Sequence, residues 1–190
     1  KDIFEVLLYV DWSDPDPITE EEALLMFHNT RVVWGPRLDG YIDMHKWINA
    51  LAWLSCGDWL MLWNDDVYMK TFGWDDIIKK ETHPVLQIDG NTQFPIIRRE
   101  VFDEIGHFSI HCANDSYIKY VCLGTNLAKQ IEIETEHKQM FRTDPDEVKD
   151  DTYRDREKQI EKYRETFFSA DVQESIEMDK FKLKEKYRKL

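Results

Sequence analysis

Three features of the sequence predict an α/β fold in which helices flank a mostly parallel central sheet. Apolar, strand-like runs alternate with segments of helical periodicity from the first residues to about position 133, the pattern of helices packed on a sheet. Two of those runs pass directly into acidic residues, at Asp11 and at Asn64-Asp65-Asp66. Polar groups are thereby expected at the carboxyl edge of the sheet, where open α/β folds bind ligands. From Thr143 onward Asp, Glu, Lys and Arg dominate, with a thin stripe of aromatics, which predicts a charged helical tail. The expected organisation is one domain over residues 1–142 and a tail over 143–190.

The elements follow in chain order. Residues 3–10 form an apolar run ended by Asp11 and by Ser13-Asp14-Pro15-Asp16-Pro17, which cannot continue a strand. Thr19 and Glu22 have capping-box spacing ahead of Ala23-Leu24-Leu25, so a short helix starts there. Residues 31–34 are a second strand. Tyr41, Met44, Ile48, Leu51, Ala52 and Ser55 recur at helical spacing, and Gly57 is expected to close that helix. Residues 58–63 read as a buried central strand. A helix over 74–80, strands over 85–88 and 94–98, a helix from about Asn114 and a last strand over 128–134 complete the core. In the tail, Tyr153, Ile160, Tyr163 and Phe167 form one stripe and Val172, Ile176, Leu183 and Tyr187 another, with a break near Ser169. Such stripes pack on the core or pair with another copy, so a homo-oligomer through these helices is one expectation.

Charge narrows the function classes. With 38 acidic and 25 basic residues the net charge is −13, and no Lys/Arg cluster precedes the tail, which argues against nucleic acid. A small phosphorylated ligand remains compatible if a divalent cation supplies positive charge. The three cysteines lack CxxC spacing, which suggests neither a disulfide framework nor a zinc site and points to a reducing, cytoplasmic setting. No apolar run is long enough to span a membrane.

The strongest chemical signal is the stretch Gly57-Asp58-Trp59-Leu60-Met61-Leu62-Trp63-Asn64-Asp65-Asp66. Adjacent carboxylates repel one another, and Mn²⁺ or Mg²⁺ is the economical partner; a solvated turn is the plainer alternative. This stretch resembles the metal-binding Asp-x-Asp segment of glycosyltransferase-A enzymes, in particular the inverting family of bacterial and phage polysaccharide transferases. Its surroundings resemble the same family: Tyr9-Val10-Asp11-Trp12-Ser13, Asn49-Ala50 with Ser55-Cys56-Gly57-Asp58, the run from Phe94 through Arg98-Arg99 to Gly106-His107-Phe108, and Asn114-Asp115-Ser116-Tyr117. Two departures stand out. The family's opening strand and its Pro-Thr-x-Asn-like turn are not among these residues, and Asn64 occupies the first position of the metal segment.

The resemblance implies a glycosyltransferase-A fold and transfer of a sugar from a nucleotide diphosphate, uridine diphosphate by family frequency, to an acceptor hydroxyl with inversion. By position it implies that Asp11 accepts from the nucleobase and that Asp66 binds the metal, with Asn64 and Asp65 supporting it or contacting ribose. Arg37 is placed to meet the diphosphate, Asp115 to act as general base, and His137 to serve as a further metal ligand. Each has a bland alternative: a loop cap for Asp11, a surface arginine for Arg37, a helix cap for Asp115 and an exposed loop residue for His137. Of seven tryptophans, Trp47, Trp53, Trp59 and Trp63 fall on expected core positions, and Trp74 is the one candidate for stacking on an acceptor sugar. The rival classes are a non-catalytic module that keeps the fold and a nucleotidyltransferase, for which the expected Gly-rich basic loop is missing.

Overall fold

A computed structural model describes residues 4–26, 28–64, 67–88, 91–137 and 151–189, the side chains of residues 91, 92, 137 and 151–157 excepted. The fold is α/β, with seven α-helices and three small sheets among the described residues. Strand β1 (Val6–Asp11) pairs in parallel with β2 (Thr30–Gly35), joined through α1 (Glu20–Met26). The capping box forms as the spacing requires. Glu22 accepts from the Thr19 backbone N–H at 2.9 Å and from its hydroxyl at 2.7 Å, while the Glu22 N–H donates back to Thr19 Oγ1 at 3.2 Å.

A short 3-10 helix, Gly40–Asp43, runs into α2 (Met44–Leu54). Helix α2 stops at Ser55, whose extended backbone ends the helical path, and not at Gly57. Its last carbonyls are taken up by a distant side chain. Arg99 donates to Ala52 at 2.8 Å, Ser55 at 2.9 Å and Gly57 at 3.3 Å, which satisfies a helix terminus with a charged fork and fixes the approach to β3.

The second sheet has four strands in the order β3 (Trp59–Met61), β6 (Asn91–Arg98), β5 (Val85–Ile88), β7 (Ala128–Ile131). The expectation of one mostly parallel central sheet is corrected here: β6 runs antiparallel to both β3 and β5, and only β5 and β7 are parallel. The physical reason lies in the connection. Ile88 and Asn91 are separated by Asp89-Gly90, a dipeptide suited to a tight hairpin, and a hairpin forces antiparallel pairing where a helical crossover would have allowed a parallel one. The expected central strand over 58–63 is likewise a three-residue edge strand that, among the described residues, pairs with β6 alone. The third sheet pairs β4 (Val67–Met69) antiparallel with β8 (Thr135–His137), neither of which periodicity could detect at three residues each.

The four-stranded sheet separates two apolar clusters, because alternate side chains leave a strand on opposite faces. Leu86, Ile88, Phe94, Ile96 and Ile131 pack on one side with Val67 and Ile78 of α3 (Trp74–Lys80). Val85 and Ile97 face the other, against α4 (Arg99–Ile105), α5 (Asn114–Cys122) and the tail. Helix α4 ends at Gly106, whose φ of 84° is the left-handed conformation that glycine supplies at helix C-termini.

The tail folds as α6 (Asp151–Phe167) and α7 (Ala170–Lys186), with the break near Ser169 where the sequence places it. Phe167, Val172, Ile176 and Leu183 are buried in the same cluster as Val101, Phe102, Tyr117 and Val121, with Tyr163 and Tyr187 packed against it, so the second stripe and the end of the first lie on this chain's own core; the Tyr153 side chain lies outside the described residues. A polar network fastens α7. Asp179, 1% exposed, accepts from the Tyr117 hydroxyl at 2.6 Å and pairs with His107 Nε2 at 2.8 Å, and Tyr117 also meets Ser175 at 2.8 Å. Burial pushes the Asp179 carboxyl up, but the bonds from His107 and Tyr117 outweigh it and hold the group below the ordinary carboxylate range.

Candidate functional site

The parallel pair β1–β2 presents its carboxyl ends together: Asp11 closes β1 opposite Gly35, and the chain leaves β2 through Pro36 and Arg37. Asp11 carries out its loop-capping role in full. Its Oδ1 accepts from the Ser13 N–H at 2.8 Å and from the Ser13 hydroxyl at 2.7 Å, an Asx turn built by the residue type found there. Its other oxygen lies 3.6 Å from Arg37, a loose pair that brings together two residues singled out for opposite ends of a nucleotide. Trp12, next to Asp11 and 67% exposed, is an aromatic at this edge that sequence reasoning passed over.

Beyond Arg37 the backbone turns through Leu38, which has a φ of 53°, and Gly40, with a φ of 65°. This turn forms one wall of a cavity of about 350 Å³, and the opposite wall is Gln159 and Lys162 of α6. The size suits a small ligand. Both α6 residues went unnoticed in the sequence because they sit on the polar face of a highly charged helix, and only its docking shows which charges meet the core.

A line of contacts leads from this cavity toward α5. Tyr41 meets Tyr163 of α6 edge-on at 6.1 Å, and Tyr163 lies 5.5 Å from the His111 ring. His111 Nδ1 accepts from the Ala113 N–H at 3.1 Å, which leaves Nε2 as the nitrogen that donates to Thr166 Oγ1 at 3.0 Å. Burial pushes His111 and the nearby His45 below the ordinary imidazole value, so both are held neutral. Asn49 of α2 orders the same loop. Its side-chain oxygen accepts from Phe108 at 2.7 Å and Ser109 at 3.3 Å, and its amide donates to the Ser109 carbonyl at 2.7 Å.

That loop delivers Asp115 to the first turn of α5. The N-cap position is Ala113, which makes no side-chain capping bond, so Asp115 is the second residue of the helix and not its cap. Burial raises its carboxyl above the usual range, against opposing bonds from the backbone of Ser116 and of Asp115 itself. A carboxylate poised upward in this way is suited to taking a proton.

The acidic segment is bracketed but only partly described. Trp63 donates its indole N–H to the Val67 carbonyl at 3.2 Å and packs on Phe94 at 5.0 Å, which ties together the two ends of the Asn64-Asp65-Asp66 segment. Asp65, Asp66 and the His137 side chain lie outside the described residues. Asn64 is described and is exposed. The β4–β8 register sets the His137 backbone opposite Val67, the residue that follows Asp66 in the chain. Among the described residues no three His, Cys, Asp or Glu side chains are grouped to hold a metal ion.

The tryptophan expectations divide. Trp59 and Trp63 pack against the core and Trp47 stacks on Tyr9 at 5.3 Å. Trp53 is corrected: it is 62% exposed, touching Phe102 edge-on, because α2 presents that side to solvent. Trp74 opens α3, where the helix over 74–80 was expected, and packs against the core, whereas Phe72 two residues earlier is fully exposed. Among the described residues no helix is long and apolar enough to cross a membrane. No protein-family model, curated protein or solved structure matches this chain.

Proposed function

We propose that the chain is a glycosyltransferase of the glycosyltransferase-A fold that moves a sugar from a nucleotide diphosphate, uridine diphosphate favoured, to an acceptor hydroxyl with inversion. The observation that carries this reading is the β4–β8 register. Two segments that the one family resemblance marks for metal binding, 71 positions apart at Asp66 and His137, lead into one antiparallel pair at Val67 and His137. Two carboxylates and an imidazole are a donor set that fits Mn²⁺ or Mg²⁺, so Asp65, Asp66 and His137 would hold the ion. When bound, such an ion supplies positive charge to the leaving diphosphate.

The remaining roles belong to this chain's own groups. Arg37 binds phosphate oxygens through its planar fork, and Asp11 offers the oxygen not taken by Ser13 to a nucleobase N–H. Asp115, raised by burial, removes the proton of the acceptor hydroxyl as that oxygen attacks the anomeric carbon. Calorimetric titration of uridine diphosphate with Mn²⁺ present tests the reading. Asp66→Ala should abolish metal-dependent binding at an unchanged melting temperature. Unchanged affinity in that variant removes the assignment, and wild-type binding with no transfer to any acceptor would favour the non-catalytic module.

A further inference from the structure

We infer that this chain associates with itself head to tail, the acidic, apolar face of α1 on one copy receiving the basic, apolar end of α7 on the next. The inference is independent of the donor reading and uses none of the residues assigned to it.

The first face is the solvent side of α1. The run Ala23-Leu24-Leu25-Met26 is apolar at every position, and a helix can turn only one side toward the strands it packs on. Of the seven residues of α1, all described, Ala23 alone is buried. Leu25 is 80% exposed, with Leu24 and Met26 exposed beside it. Leu24 and Leu25 line an open depression of about 510 Å³ together with Glu20 and Glu21, and neither glutamate has a basic partner among the described residues. Residues 2–30 hold eight acids and neither Lys nor Arg, so the apolar face belongs to a uniformly negative stretch of chain.

The second face is the solvent side of α7. Val172, Ile176, Asp179 and Leu183 turn one side of the helix to the core. Met178 and Phe181, one turn apart on the other side, are exposed, Phe181 by 65%. Residues 180–189 carry six bases and one acid, Glu185. Lys180, Lys182 and Lys186 are already paired, with Glu177, Asp179 and Glu104. Lys184 follows Phe181 by three positions on the same side of the helix, and Arg188 and Lys189 follow its end. All three are exposed with no acidic partner among the described residues, so free positive charge exceeds Glu185 at this end.

The two faces complement one another in both respects that matter. Each has apolar side chains to bury, and the unpaired charges at their rims are of opposite sign. Pairing α1 with a second α1 would instead set Glu20 and Glu21 against like carboxylates in a chain of net charge −13. A contact between two different faces leaves one of each kind free on the assembly, so it grows with concentration.

Sedimentation equilibrium of the full chain at low ionic strength tests this. The parent's mass should rise above one chain as concentration increases. Leu25→Asp and Phe181→Asp, both at exposed positions, should melt as the parent does, and each alone should remain a single chain. Their equimolar mixture should form a complex of two chains and stop there, because the intact α7 of one variant meets the intact α1 of the other and the remaining faces are blocked. Lys184→Glu with Arg188→Glu, which keeps every apolar side chain, should likewise lose association. A parent that stays single at every concentration overturns the inference and assigns the α1 face to a different partner. Association of either aspartate variant alone, or a mixture that stays single, overturns the head-to-tail contact, and association of the glutamate variant at the parent's strength overturns the charge match.

Discussion

Replacing Asp179 with alanine removes the acceptor on which His107 and Tyr117 converge, and the cost can be worked from the geometry. Two short bonds to a buried carboxylate are lost, at 2.6 and 2.8 Å. Bonds to charged groups contribute roughly 1.5–3 kcal/mol each, so about 3–6 kcal/mol is at stake. Part of this is returned because the carboxylate no longer has to be desolvated, and we predict a net loss of about 3–4 kcal/mol. For a chain of this size that corresponds to a fall of roughly 6–16 °C in melting temperature. Tyr117→Phe removes one of the two bonds and should cost about 2 kcal/mol. Because the variants share that bond, the double variant should lose less than the sum, with a coupling of about 1–2 kcal/mol. Urea denaturation followed by circular dichroism measures all three. Single losses below about 1 kcal/mol, or strict additivity, would refute the claim that this network fastens α7 to the core.

Three further outcomes follow from the same structure. His111 and His45 are pushed below the ordinary imidazole value by burial, so the unfolded chain binds more protons than the folded one below about 6.5; we predict stability that is complete above that pH and declines as pH falls through it, with a shallower decline in His111→Gln, read from urea midpoints across pH. Asn49→Ala leaves the buried Phe108 N–H and Ser109 carbonyl without partners and should cost about 3 kcal/mol in the same assay, whereas a loss under about 1 kcal/mol means that water replaces the amide. Asp115→Asn should keep donor affinity and melting temperature while turnover falls by roughly 10²–10⁴-fold, and full turnover would retire Asp115 as the base.

The sequence was most legible where one local signal decides an element. Thr19 and Glu22 announced α1, and Ser169 marked the break between α6 and α7. It was least legible where pairing decides. Strands β4 and β8 are stabilised by each other and carry no period of their own, and the antiparallel course of β6 depends on a two-residue connection between Ile88 and Asn91 that periodicity does not register. The site divides in the same way. Asp11 was marked by its place at a strand end and Arg37 by the family resemblance, and the two lie 3.6 Å apart. Lys162 and Gln159 were not found, since a helix with charges on most of its faces gives no sign of which ones will face a cavity. Asn49 was quoted as part of a motif, and its work in ordering the loop before Asp115 became visible only through its three bonds.

The central claim, that Asp65, Asp66 and His137 gather a divalent ion beside a nucleotide diphosphate, is tested most directly by a crystal soaked with Mn²⁺ and uridine diphosphate. Anomalous scattering locates the metal, and difference density locates the nucleotide in the same experiment. The account predicts one anomalous peak between the Asn64-Asp65-Asp66 segment and His137, with phosphate density reaching from it toward Arg37. A peak remote from Asp65 and Asp66, or nucleotide density away from the β1–β2 edge, would contradict it.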